Sequence, residues 1–200
     1  MVVSMIDWKK VKYFNPSEFS EDPDIYADPE LIYSLDKYRG MLGVNRIFPS
    51  PAKYALARSH GSSNSQHWVG PNLLKPTRKS TAVDIFCEGV PYDNYAILLG
   101  SKLFNGIGVY LSTTGPDGLP WVMFHVDTRK TGFNEDTPLV WIVRKFKDDS
   151  MKTPVDHYYY PQVKPKYWSL FGDKTLTKQK KFGSPATLPI IHLDEHFTAV

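Results

Sequence analysis

The segment Trp121-Val122-Met123-Phe124-His125-Val126-Asp127-Thr128-Arg129 constrains this chain most. Aromatic and β-branched residues dominate it, so it is expected to be a strand. Side chains alternate across a strand, which puts His125 and Asp127 on the same face. An imidazole and a carboxylate side by side on a rigid element suit metal ligation or proton transfer. The same pair also occurs as an ordinary surface feature of a half-exposed strand, so the rest of the chain has to decide between the two.

Other elements can be placed around it. Asp28 is positioned to cap a helix, Pro29 suits its first turn and Glu30 suits its positive end. Leu31, Leu35, Tyr38 and Leu42 follow at helical spacing, with Gly40 or Gly43 as the stop. Residues 44–50 read as a short strand, 59–81 as a long loop, 82–87 as a strand, and 92–104 as a second helix ended by Asn105-Gly106. Residues 107–111 and 121–127 form a strand pair joined by a hairpin loop, and residues 139–146 form a further strand. Few strands and segregated helices imply an α+β domain with a small, mostly antiparallel sheet. Residues 1–147 are assigned to this domain and 148–200 to a C-terminal extension rich in aromatics and proline. Regular elements are not evident in that extension, which is expected to pack on its own domain or on a partner.

Bulk properties exclude several classes. With 200 residues, a core can form without disulfide staples. The single cysteine, Cys87, rules out a disulfide framework and a cysteine-rich zinc site. It lies in an apolar run, as a buried and inert thiol would. A net charge of +3 is too small to imply nucleic acid. Residues 144–200 nevertheless carry ten Lys/Arg against six Asp/Glu, which makes them a solvated surface or a docking surface for an acidic partner. No apolar run is long enough to span a membrane, and the first residues do not resemble a signal peptide.

A zinc site needs at least three N, O or S ligands. With one cysteine, they must come from His, Asp and Glu. His67 lies on the long loop, and Asp84 lies between Val83 and Ile85, where a carboxylate is costly to bury unless paired or metal-bound. With His125 they make a two-histidine, one-carboxylate set of the kind found at hydrolytic zinc. His192 and His196 are spaced by four, but Pro189-Ile190-Ile191 before them does not suit a helix interior. His60 reads as a loop histidine facing water, and the tyrosines at 158–160 as packing groups.

Ser65-Gln66-His67-Trp68-Val69-Gly70, then Ala82-Val83-Asp84, resemble the two halves of S-x-H-x-x-G-x-A-x-D. This is the pattern of the zinc D-alanyl-D-alanine carboxypeptidase and L-alanyl-D-glutamate peptidase family, which shares its fold with the hedgehog signalling domain. Gly106-Ile107-Gly108-Val109-Tyr110 and Phe124-His125-Val126-Asp127-Thr128-Arg129 resemble the G-I-G-x-Y and F-V-H-V-D-T-R stretches of one branch. Ser17-Glu18-Phe19 and the helix opening at Asp28 resemble the family's start. The resemblance spans roughly residues 12–130. It implies a hedgehog/DD-peptidase-like fold with His67, Asp84 and His125 as Zn²⁺ ligands.

Three departures accompany it. Sixteen residues separate His67 from Asp84, so an insertion of ten, about residues 71–80, interrupts the motif and is expected either to shape substrate entry or to cover the metal. Where the family has S-G-Y-R, with an arginine that helps hold substrate, Ser50-Pro51-Ala52-Lys53 stands here, and Lys53 lacks the bidentate fork. The position three before the distal histidine, often an acid, is Val122. Asp127 is therefore the candidate to orient a ligand or to take a proton, with bonding to nearby backbone or to Arg129 as the plain alternative. Together with the absence of a leader-like start, the resemblance implies a phage-type lytic enzyme cleaving peptidoglycan peptides, located in the virion or in the host cytoplasm before release. The other reading is a catalytically weak or inactive member that serves as a structural component of a virion, docked through residues 148–200.

Overall fold

The structure, a computed structural model, describes residues 5–43, 46–115, 117–131, 138–146 and 154–159. Three helices, α1 (Pro23–Tyr26), α2 (Pro29–Met41) and α3 (Pro91–Ser101), accompany six strands. These are β1 (Ile47–Pro49), β2 (Ala82–Cys87), β3 (Gly106–Thr114), β4 (Pro120–Asp127), β5 (Leu139–Phe146) and β6 (Pro154–Tyr159). They form one sheet in the order β1-β2-β4-β3-β5-β6. All pairings are antiparallel except β3 with β5, which run parallel. The chain is thus α+β with a small mixed sheet. The parallel pair was not expected from the sequence, because strand direction depends on the route of the connection and not on any local pattern.

α2 forms as its termini dictate. Asp28 accepts a hydrogen bond from the Glu30 amide, Pro29 occupies the first turn, and Gly43 follows the helix in the left-handed region at φ 64°. Gly40 lies inside the helix instead, where Tyr13 packs over it. Leu31, Leu35, Tyr38 and Leu42 are fully buried, each worth roughly 1.5–3 kcal/mol of transfer free energy. α3 stops at Ser101, earlier than the sequence suggested, because Lys102 turns left-handed at φ 54°. Phe104 is thereby released into the core, edge-on to Tyr38.

The two faces of the sheet differ in character. Val83, Ile85, Ile107, Val109, Val122, Phe124, Val126, Val140 and Ile142 join α2 and α3 in one core. Residues of opposite parity, among them Asp84, His125 and Asp127, therefore face the other way. That second face carries a small cluster of Phe86, Trp121 and Met123, with Phe48 and Tyr110 against it. Cys87 is buried in the main core, and burial pushes its thiol up to about 12, so it remains an unreactive thiol at neutral pH. β6 pairs with β5, so the sheet continues past residue 147. Pro154 opens β6, a position where a missing N–H is tolerated. The extension beyond residue 159, with His192 and His196, lies outside the described residues.

Candidate metal centre

Strand register builds the site. Asp84 pairs with His125 across β2 and β4, His125 with Gly108 across β4 and β3, and Gly108 with Trp141 across β3 and β5. One row across four strands thus presents a carboxylate, an imidazole, a gap and an indole. The gap is required. A Cβ on Gly108 would sit 2.6 Å from the Trp141 ring, and one on Gly106 would sit 2.2 Å from the Asp127 carboxylate. The glycines of Gly106-Ile107-Gly108 therefore make room for the indole beside His125, whose ring centroids are 5.1 Å apart, and for the Asp127 carboxylate.

His67 arrives on the long loop. The Ser65 hydroxyl accepts the His67 amide at 3.3 Å. The Arg58 amide donates to His67 O, and the Val69 amide donates to Arg58 O, at 2.8 and 2.9 Å. Gly70 then turns at φ 130°, a conformation that favours glycine.

The insertion straps this loop from outside. Thr77 and Arg78 amides both donate to Val69 O. The Arg78 guanidinium donates to the carbonyls of Ser63, Ser65 and Trp68, and Lys79 reaches the carbonyls of Asp24 and Ile25 at the end of α1. No residue from 71 to 80 lines the cavity around the histidines. The insertion thus buttresses the His67 loop from outside the cavity wall.

His67, Asp84 and His125 converge and are buried. His67 Nε2 lies 2.9 Å from His125 Nδ1 and 3.3 Å from Asp84 Oδ1, and His125 Nδ1 lies 3.2 Å from Asp84 Oδ1. The outer ring nitrogens fix the tautomers. His67 Nδ1 faces Leu56 O at 3.4 Å, and His125 Nε2 faces Asp127 Oδ2 at 3.0 Å. Those oxygens only accept, so each outer nitrogen carries the proton. Both inner nitrogens and Asp84 Oδ1 then turn lone pairs toward one point. Three acceptors at such separations suit a cation between them. Ligands about 2.0–2.2 Å from a tetrahedral ion are separated by roughly 3.3 Å, close to the observed triangle. The three residues can therefore hold a metal ion.

Electrostatics agree with the geometry. Burial alone would lift the Asp84 carboxyl, but the charges and hydrogen bonds of His67 and His125 outweigh it and hold it below the ordinary range. Burial is likewise outweighed at Asp127, where hydrogen bonds from Arg129 and His125 lower it. His67 is lowered, chiefly by burial. His125 is raised despite burial, because it lies between Asp127 and Asp84.

The remaining expected residues fall apart. Asp127 is fully buried, and both its oxygens are engaged, by His125 Nε2 at 3.0 Å and by the Arg129 fork at 2.7 and 2.5 Å. It is placed to orient His125 and does not face the cavity. Lys53 is exposed, with its ammonium over the Tyr54 ring, and lies outside the cavity wall. Arg58 lines the cavity in its place, beside Arg129, and donates to Asp84 Oδ2 at 2.9 Å and to Tyr54 O. Sequence reasoning missed it, and its one signal is an arginine directly after Ala55-Leu56-Ala57, a run that buries completely. His60 stacks edge-on against Tyr54 at the surface. Val122 is in the core and cannot serve as an acid.

The cavity beside the cluster measures about 200 Å³ and is lined by Arg58 and Arg129, by Tyr110 and Trp141, and by the polar stretch Asn64-Ser65-Gln66. No protein-family model matches the chain, and no curated protein or solved structure matches it at a significant level.

Proposed function

We propose that this protein is a zinc-dependent peptidase acting on peptidoglycan peptides, with a hedgehog/DD-peptidase-like fold. The observation that carries the reading is the convergence of three buried lone-pair donors, His67 Nε2, His125 Nδ1 and Asp84 Oδ1, beside an open polar cavity. A zinc ion held there would polarise a scissile carbonyl and acidify a bound water. The protein's own groups do the rest. Leu56 O and Asp127 hold the two imidazoles with their lone pairs inward. Arg58 and Arg129 balance the two aspartates, so a bound dication leaves the site positive and suited to an anionic peptide. Arg58, about a third exposed, is placed to receive a substrate carboxylate, the role expected of Lys53.

One observation favours a second reading, that of an inactive virion component with the same centre. Among the described residues, Asp84 is the sole carboxylate lining the cavity, so no side chain there is an evident general base.

Purified wild type and His125→Ala, each with zinc content measured, separate the readings when incubated with peptidoglycan. Soluble peptides released by wild type alone support the enzyme. Zinc bound without any peptide release sinks it and leaves the structural role.

A further inference from the structure

We infer that Glu21 is a positioning residue of the metal centre, acting through the backbone turn at residues 54–58. The inference rests on the metal reading of His67, Asp84 and His125, and is independent of the peptidase reaction. The Glu21 carboxylate accepts the amides of Tyr54, Leu56 and Ala57, at 2.5, 3.0 and 3.3 Å, and the Ser20 hydroxyl at 2.7 Å. The three amide donors lie 33 to 36 residues further along the chain. Tyr54 sits at φ 72°, a region that side chains disfavour, and this strained residue helps bring three amides onto one carboxylate.

The other side of that turn holds the centre. Ala55 O accepts the Asp84 amide at 3.0 Å, and Leu56 O faces His67 Nδ1 at 3.4 Å. Tyr54 O accepts Arg58 Nε at 2.9 Å, and the Arg58 amide donates to His67 O at 2.8 Å. One turn therefore sets the tautomer of His67, the backbone of Asp84 and the aim of Arg58. Ala55, Leu56 and Ala57 are buried, where amides without an acceptor are not tolerated. Glu21 supplies that acceptor for two of them and for Tyr54. Removing its charge frees the turn, and the inner lone pair of His67 loses its aim.

Co²⁺ titration of the full chain tests this, with affinity and the visible absorption of the bound ion as readouts. Wild type is expected to take one Co²⁺. Glu21→Gln, folded by circular dichroism, is expected to bind at least about tenfold more weakly, the scale on which partners of metal ligands act, with an altered visible band. Glu21→Asp keeps the charge but shortens its reach to the three amides, so it is expected to recover only part of the affinity, staying at least about threefold below wild type, and it carries the same comparison if Glu21→Gln does not fold. Affinity within twofold of wild type and an unchanged band, in whichever variant folds, overturn the inference even where melting temperature falls. A wild type that takes up no Co²⁺ removes the metal centre itself, and the positioning role with it.

Discussion

Gly106→Ala is a one-carbon change that reaches the candidate metal centre through packing alone. The new Cβ would lie 2.2 Å from Asp127 Oδ2, 2.6 Å from Cγ and 2.7 Å from Oδ1. Ordinary contact starts near 3.4 Å, so the carboxylate or the strand has to move by about 1.2 Å. Asp127 has nowhere to go, being fully buried and held by His125 at 3.0 Å and by the Arg129 fork. Overpacking costs ~1–3 kcal/mol, and losing one hydrogen bond to a charged group costs ~1.5–3 kcal/mol. Strand relaxation offsets part of this, so a destabilisation of about 3 kcal/mol is expected. His125 Nδ1 loses its aim as well, and metal affinity should drop ~10–100-fold. Gly100→Ala in α3 is the control. Nothing lies within 4 Å of its Cβ, so it should stabilise by up to ~1 kcal/mol and leave the metal untouched. Urea unfolding and calorimetric metal titration read both effects. A Gly106→Ala protein as stable as wild type, with equal affinity, would refute the view that Asp127 is fixed by a space reserved at Gly106.

Four further outcomes are expected. Arg58→Ala should weaken binding of a peptide with a free terminal carboxylate while Lys53→Ala does not, as measured by calorimetry, because Arg58 lines the cavity and Lys53 does not. Metal affinity should fall as pH drops. His125 is raised in the metal-free protein, so a proton competes for Nδ1 below its pKa, at about tenfold per pH unit. Metal-free stability should also fall in acid. The lowered carboxyls of Asp84 and Asp127 stabilise the fold fully above about pH 4, the unfolded value, and that contribution is lost as pH falls through their folded values. Flat affinity between pH 8 and 5 would contradict the proton competition. Arg78→Ala should speed hydrogen exchange across residues 63–69 at a cost of ~1 kcal/mol, whereas unchanged exchange would mean the strap does not hold the loop.

Legibility in the sequence followed the physics of each element. α2 was readable because cap, proline, periodic leucines and terminal glycine all agree. β2 and β5 were readable to the residue, since each is a compact apolar run between turn residues. Asp84 stood out as a charge in such a run, and its convergence with His67 and His125 follows from register plus one loop. Arg58 and Glu21 were not legible. Glu21 binds backbone amides of the turn at residues 54–58, Arg58 reaches the Asp84 carboxylate from the end of that turn, and no side-chain periodicity marks such contacts. The roles of Gly106 and Gly108 required the partner strands, because what fills the space above a glycine comes from Asp127 and Trp141. The strap at residues 71–80 bonds almost wholly to carbonyls, which sequence does not display.

Zinc content of the purified chain reads out the three ligands themselves. Wild type dialysed against zinc and then against metal-free buffer should retain one zinc per chain by mass spectrometry. His67→Ala, Asp84→Ala and His125→Ala, each folded by circular dichroism, should retain almost none. Wild type without zinc, or all three variants loaded like wild type, would contradict the assignment of these residues as the metal centre.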